Sequence, residues 1–207
     1  MTGSRARARE PVKYELNTKE NMTEKPLKEI LKEQRKYAPF FEWPDKQIKE
    51  RGVVQSLLES MEVNGLLPFS GLRPGPSPNQ APDCNAEDEI GEIVAIEVTE
   101  FVSSKAVEMN QRGKVVYRDW MPDEVIVEVQ KIITKKDRVR YFWGPYSKIV
   151  LVIHTDEIAL DYETYTSVLS KVAFEARKIE EVYFLFSYHP QVRTYPYVKL
   201  QTASTDP

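Results

Sequence analysis

The chain has 207 residues, 41% hydrophobic and 11% aromatic, enough to pack a core in one domain of ordinary size. Its 29 Lys and Arg against 32 Asp and Glu give a net charge of −3, which argues against a surface built wholly for nucleic acid but leaves room for a local basic groove. A lone cysteine excludes an intramolecular disulfide, and no run reaches the ~20 apolar residues of a membrane helix.

The start, from Met1 to Arg9, lacks the apolar stretch of a secretory signal, so the expectation is a soluble cytoplasmic protein with no membrane partner. Residues 1–24 are polar and aperiodic and read as a disordered tail; Arg5, Arg7 and Arg9 either touch phosphate or are simply solvated. The expected single domain spans 25–207, with its core over about 45–187. Lys25–Tyr37 reads as a helix, with Pro26 in the first turn and Leu27, Ile30 and Leu31 on one face. Two prolines end it at Ala38–Pro44, where Phe40, Phe41 and Trp43 offer docking anchors.

A second helix is expected over Asp45–Val63, stopped by Asn64-Gly65. Ile48, Val54, Leu57, Leu58 and Met61 are its apolar positions, and Glu50 shares the stripe of Val54, Leu57 and Met61. An acid there is either functional or salt-bridged at the edge of the stripe. Pro68–Pro82, with Pro74, Pro76, Pro78 and Pro82, reads as a loop that delivers Asp83 to a first strand near Cys84. Asn85–Gly91 is expected as a polar turn and Glu92–Phe101 as a second strand.

Along that second strand Val94, Ile96 and Val98 point one way, and Ala95, Glu97 and Thr99 the other. A carboxylate in the middle of a strand needs a partner. If residues 83–97 form a hairpin, Asp83 lands beside Glu97, and two converging carboxylates suit a hard divalent cation such as magnesium. The structural alternatives are that Asp83 closes a turn and that Glu97 pairs with a Lys or Arg.

Residues 103–120 read as a polar excursion carrying Lys105, Arg112, Lys114 and Arg118. Pro122-Asp123-Glu124 opens a helix with acids in its first turn, where the helix dipole favours them. Val129, Ile132 and Ile133 form its stripe, which Lys136 extends, while Lys135 points outward. Lys148–His154 reads as a strand buried on both faces, Tyr162–Lys178 as an amphipathic helix, Glu181–Ser187 as a buried strand and Tyr195–Leu200 as an edge strand. The fold class is therefore α/β with a mixed central sheet flanked by helices.

Pro82-Asp83 and the triplet Glu97-Val98-Thr99, preceded by Glu50 and followed by Lys136 on a core-facing helix, resemble the PD-(D/E)XK nuclease superfamily. Ile96-Glu97-Val98-Thr99-Glu100 with a lysine-terminated helix is similar to bacterial branches of that superfamily. The resemblance implies a restriction-endonuclease-like core with the order α-β-β-β-α-β, laid over Asp45 to about Ser187. It also implies hydrolysis of phosphodiester bonds, in DNA, with Mg²⁺ or Mn²⁺ as cofactor and a homodimer as a family-level expectation. Asp83 and Glu97 would hold the metal, helped by Glu50 and the Val98 carbonyl; Lys136 would stabilise charge on the phosphate and Thr99 would orient water or metal. The family's triplet ends in lysine where this chain has Thr99, and Lys136 is the candidate replacement from the next helix. The other reading is a catalytically silent module of the same fold that binds nucleic acid or a protein partner.

Other candidates stand apart from that set. His154-Thr155-Asp156-Glu157 follows a buried strand and offers metal ligands or a capped turn; His189 reads as a loop residue and Cys84 as a packed thiol. Lys131, Lys135, Lys136, Arg138, Arg140, Tyr141, Phe142 and Trp143 mix cations with aromatics, as a phosphate-binding surface or a solvated helix end would. No Gly-rich phosphate loop, GxSxG elbow or HExxH pattern is present.

Overall fold

The computed structural model describes residues 46–77, 82–103, 118–141, 143–157 and 159–204. The expected tail, the helix over Lys25–Tyr37, the aromatics Phe40, Phe41 and Trp43, the cations Lys105, Arg112 and Lys114, and Phe142 lie outside them. In chain order the elements are α1 (Lys46–Val63), β1 (Ser70–Pro74), β2 (Cys84–Glu87), β3 (Ile93–Glu100), α2 (Pro122–Asp137), β4 (Lys148–His154), α3 (Tyr162–Leu169), β5 (Ala173–Ala176), β6 (Glu181–Leu185) and β7 (Tyr197–Ser204). The strands form a seven-stranded mixed sheet in the order β1-β2-β3-β4-β6-β7-β5. β3, β4 and β6 run parallel, as do β5 and β7, while the β1/β2, β2/β3 and β6/β7 pairs are antiparallel.

α1 ends where Asn64-Gly65 is expected to stop it. Gly65 takes a φ of 74°, its N–H donates to the Glu62 carbonyl, and the Leu66 N–H donates to the Met61 carbonyl. This is a Schellman closure, which needs a left-handed residue that glycine adopts without penalty. Val53, Val54, Leu57 and Met61 are buried on the helix, and Glu50 is buried with them. Ile48, counted among the apolar positions of the helix, is 52% exposed. Helical spacing puts it on the same side as Arg51 and Gln55, which also face solvent.

Three expectations need correction. The Pro68–Pro82 segment is not all loop, because Ser70–Pro74 pairs with β2 as an edge strand. Its residues are almost all exposed and a proline ends it, so no apolar alternation announces it. The expected turn starts later, since Asn85–Glu87 belong to β2. The helix expected to reach Lys178 ends at Leu169, and Ala173–Ala176 is a strand. Tyr165, Leu169, Val172 and Ala176 keep a helical period across the break, which conceals the change. Thr164, Thr166, Ser167 and Ser170 are weak helix formers, and the β5 backbone gains a ladder with β7 instead. β7 is consequently an inner strand, with β5 at the edge.

The main core joins Val125, Val129 and Ile133 of α2 and Tyr165 and Leu169 of α3 to Leu151, Ile153, Phe174, Val182, Phe184, Val198 and Leu200 of the sheet. Val150 and Val152 are buried too, but outside that cluster. Strand alternation puts them on the opposite face, which α1 covers. The register Glu97↔Leu151 sets Glu97 on the α2 face.

Candidate active site

The β2–β3 hairpin has the register Cys84↔Ile96, which sets Asp83 opposite Glu97. Gly75 holds Asp83 in position: its N–H donates to the Asp83 carbonyl at 2.8 Å, and a Cβ at residue 75 would lie 1.8 Å from the Pro82 oxygen. Only glycine lets the end of β1 approach that closely. The Asp83 carboxylate then accepts from the Val98 N–H at 2.9 Å, so it caps the hairpin and faces the middle of β3.

Glu97 is 2% exposed. Its Oε2 accepts from Lys136 Nζ at 2.6 Å, and the same ammonium donates to the Val98 carbonyl at 3.3 Å and lies 3.9 Å from Asp83. The other oxygen, Oε1, is buried with no hydrogen-bond partner among the described residues. Burial, followed by the charge of Asp83, pushes the Glu97 carboxyl above its usual range, against the pull of Lys136. Lys136 reaches this point because it extends the stripe of Val129 and Ile133 by one turn at the end of α2.

Glu50 enters from α1, 8% exposed. Burial, then the charge of Asp83, raises its carboxyl to about 7, and a hydrogen bond between the two carboxyls adds to the rise. Lys46, one turn earlier, opposes this from 3.3 Å and lies 3.9 Å from the second Asp83 oxygen. Burial works to lower Lys46, but Glu50 and Asp83 outweigh it and hold its ammonium above the ordinary value. Three carboxyls therefore share two ammonium groups, and Glu50, raised to about 7 by burial and by Asp83, titrates near neutral pH.

The structure thus brings together Glu50, Asp83, Glu97 and Lys136. Thr99 is half-buried, two residues further along β3, and makes no hydrogen bond through its side chain among the described residues. The Val98 carbonyl faces Lys136. Among the described residues no three His, Cys, Asp or Glu side chains stand close enough to hold a metal ion as they are placed, because the two lysines are interleaved with the carboxyls. Lys46 escaped the sequence reading, and Tyr141 entered it only within the cation–aromatic stretch after α2, not as a member of the carboxyl cluster. Lys46 had a signal, since it precedes Glu50 by four residues on one helix. Tyr141 had none: its buried hydroxyl has no partner among the described residues, and burial, then Glu97, Asp137 and Asp83, pushes its pKa up.

The remaining candidates are structural. Burial pushes the Cys84 thiol up to about 12, which leaves it protonated and poorly nucleophilic. His154 is buried and pushed down to about 3 by burial and then by the Lys49 charge, so it is neutral. Thr155 Oγ1 donates to the Phe101 carbonyl and Glu157 accepts from the Ser103 N–H, which ties the ends of β3 and β4 together. His189 lies 3.3 Å from Glu163 and bridges to Thr194. Comparison with known proteins adds no relative: no family model, curated protein or solved structure matches the chain.

Proposed function

We propose that the chain is a metal-dependent nuclease that hydrolyses phosphodiester bonds, in DNA, at the cluster of Glu50, Asp83, Glu97 and Lys136. The observation that carries the reading is this convergence of three acids and one lysine from α1, β3, α2 and the residue before β2. The element order α1-β1-β2-β3-α2-β4 supports it, being the α-β-β-β-α-β order of a restriction-endonuclease-like core. The carboxyl chemistry fits Mg²⁺ or Mn²⁺: Glu97 Oε1 has no partner among the described residues, and burial and the charge of Asp83 raise the Glu50 carboxyl to about 7. Asp83 and Glu97 would hold the ion, and Glu50 would help only by moving closer than it stands here, where no three such side chains among the described residues are near enough to hold a metal ion. When bound, such an ion supplies Lewis-acid polarisation of the phosphate and a lowered pKa for bound water.

The chain's own residues do the rest. Lys136, fixed by Glu97 and the Val98 carbonyl, stabilises negative charge developing on the phosphoryl oxygens. Asp83 holds the Val98 amide and so fixes the strand against which the phosphate is presented. Thr99, the next residue on the Glu97 side of β3, would orient water or metal.

A catalytically silent, nucleic-acid-binding module is the second reading. The observation favouring it is that Lys46 and Lys136 already neutralise two of the three carboxyls. The test is cleavage of single- and double-stranded DNA with Mg²⁺ or Mn²⁺. Asp83→Ala and Glu97→Ala are each expected to lower the rate by about 100-fold or more. An unchanged rate in both variants sinks the nuclease site, and DNA binding without cleavage by any preparation selects the silent module.

A further inference from the structure

The cations of α2 divide into two sets. Lys136 turns into the carboxyl cluster, while Lys131, Lys135 and Arg138 face outward. Beside them lies a cavity of about 410 Å³ lined by Thr134, Asp137, Arg138, Glu175, Arg177 and Lys178. It adjoins a second hollow of about 300 Å³ that shares Thr134 and Arg138 and adds Lys131 and Lys135. The two form one groove along the outer side of α2.

The groove is built, rather than being a chance meeting of surface side chains. Asp137, the last residue of α2, accepts from the N–H groups of Arg177, Lys178 and Ile179 at 3.1, 2.7 and 3.1 Å. Three amides absorb its negative charge, and the β5–β6 turn is locked so that Arg177 and Lys178 stand beside Arg138. About two turns earlier on α2, the Gln130 amide both donates to the Glu175 carbonyl and accepts from the Glu175 N–H. This closes the free edge of β5 and fixes the opposite wall. Lys135, Arg138, Arg177 and Lys178 are exposed and make no ion pair among the described residues, and the one acid of the lining not absorbed by backbone amides is Glu175.

We propose that this groove binds the phosphate backbone of a nucleic acid strand, one or more nucleotides from the phosphate held at Lys136. The proposal rests on the nuclease or nucleic-acid-binding reading of the site and supplies the surface that positions the substrate. Lys136, turned inward, and Arg138, turned outward at the C-cap, lie on different sides of the same end of α2, so a strand contacting both would pass around that end. Arg138 and Arg177 offer planar forks that match phosphate oxygens. Apart from the buried Ala176, the residues that line the groove carry polar or charged side chains, and none is a large exposed apolar anchor, as suits a backbone rather than a lipid surface.

The experiment measures binding of a labelled DNA oligonucleotide, single- and double-stranded, in EDTA across a salt series. It compares wild type with the triple variant Arg138→Gln, Arg177→Gln, Lys178→Gln. All three positions are exposed, and a thermal melt checks the fold. The triple variant is expected to bind about tenfold more weakly or worse, with the slope of log K against log salt reduced by about 2 to 3. An unchanged affinity and slope, or no DNA binding by wild type, overturns the groove. So does a wild type that binds anionic phospholipid vesicles in place of DNA. Loss of binding in the triple variant while no preparation cleaves DNA upholds the groove and removes the nuclease reading; cleavage with unaltered binding in the triple variant does the reverse.

Discussion

Glu97 and Glu181 are both strand carboxylates pinned by a lysine, and they sit in opposite electrostatic circumstances. At Glu181, Oε1 accepts from Lys148 at 3.1 Å, while Oε2 accepts from the Tyr183 hydroxyl at 2.6 Å and faces Lys199 at 3.3 Å. Burial works to raise this carboxyl, but Tyr183, Lys148 and Lys199 outweigh it and hold it below its usual range. Glu97 has one lysine, one oxygen without a partner among the described residues and a second carboxyl close by, and it is pushed upward. The same residue type therefore serves as a satisfied brace between β4, β6 and β7 and as an unsatisfied member of a cluster between β2, β3 and α2. Carboxyls held short of positive charge are the ones with capacity left for a ligand.

Deleting the lysine from each cluster gives the largest contrast. Lys136→Met strands Glu97 in the interior beside Asp83 and is expected to cost about 3–5 kcal/mol at neutral pH. Lys148→Met leaves Lys199 and Tyr183 on Glu181 and is expected to cost about 1 kcal/mol. Urea denaturation reads both, and equal losses would erase the distinction between the two clusters.

Acidity gives the next contrast, with opposite signs. The native Glu50 carboxyl keeps its proton up to about 7, while its unfolded reference lies near 4.5. Between those values the native state holds more protons, so stability is full below the lower value and falls as pH rises through the upper one. Glu50→Gln should remove that fall and gain on the order of 1–3 kcal/mol over wild type at pH 8. Glu181 is depressed in the native state, so its contribution is present above its unfolded pKa and is lost as pH falls. Glu181→Gln should therefore lose stability at neutral pH and converge on wild type in acid. Two variants with the same pH trend would break the comparison.

Paired tyrosines give the smallest contrast. Tyr141→Phe removes a buried hydroxyl without a partner among the described residues and is expected to be neutral or to gain up to about 1 kcal/mol. Tyr183→Phe removes the hydrogen bond to Glu181 and is expected to cost about 1–2 kcal/mol. A loss for Tyr141→Phe as large as that for Tyr183→Phe would show that its hydroxyl is engaged in the native protein.

The site was legible wherever chemistry follows a local period. Glu50 falls on the stripe of α1 by helical spacing, Lys136 on that of α2 by the same rule, and Glu97 on one side of β3 by alternation. Asp83 required one further assumption, a hairpin, and the register bears it out. Lys46 was readable in principle, because it stands one turn from Glu50. Tyr141 was not, since it follows α2 in a stretch with no regular period.

The sequence by itself determined the α/β class, the bounds of β4, the stop of α1 at Gly65 and the faces on which Glu50, Glu97 and Lys136 lie, because each depends on neighbours within a few turns. Tertiary structure alone decided that β1 and β5 are strands, since their backbones are satisfied by β2 and β7 and not by any pattern of their own. It also decided the charge balance of the cluster. Which carboxyl keeps a proton, and which oxygen lacks a partner among the described residues, depends on distances between α1, α2 and the hairpin, and a linear order of residues does not contain those distances.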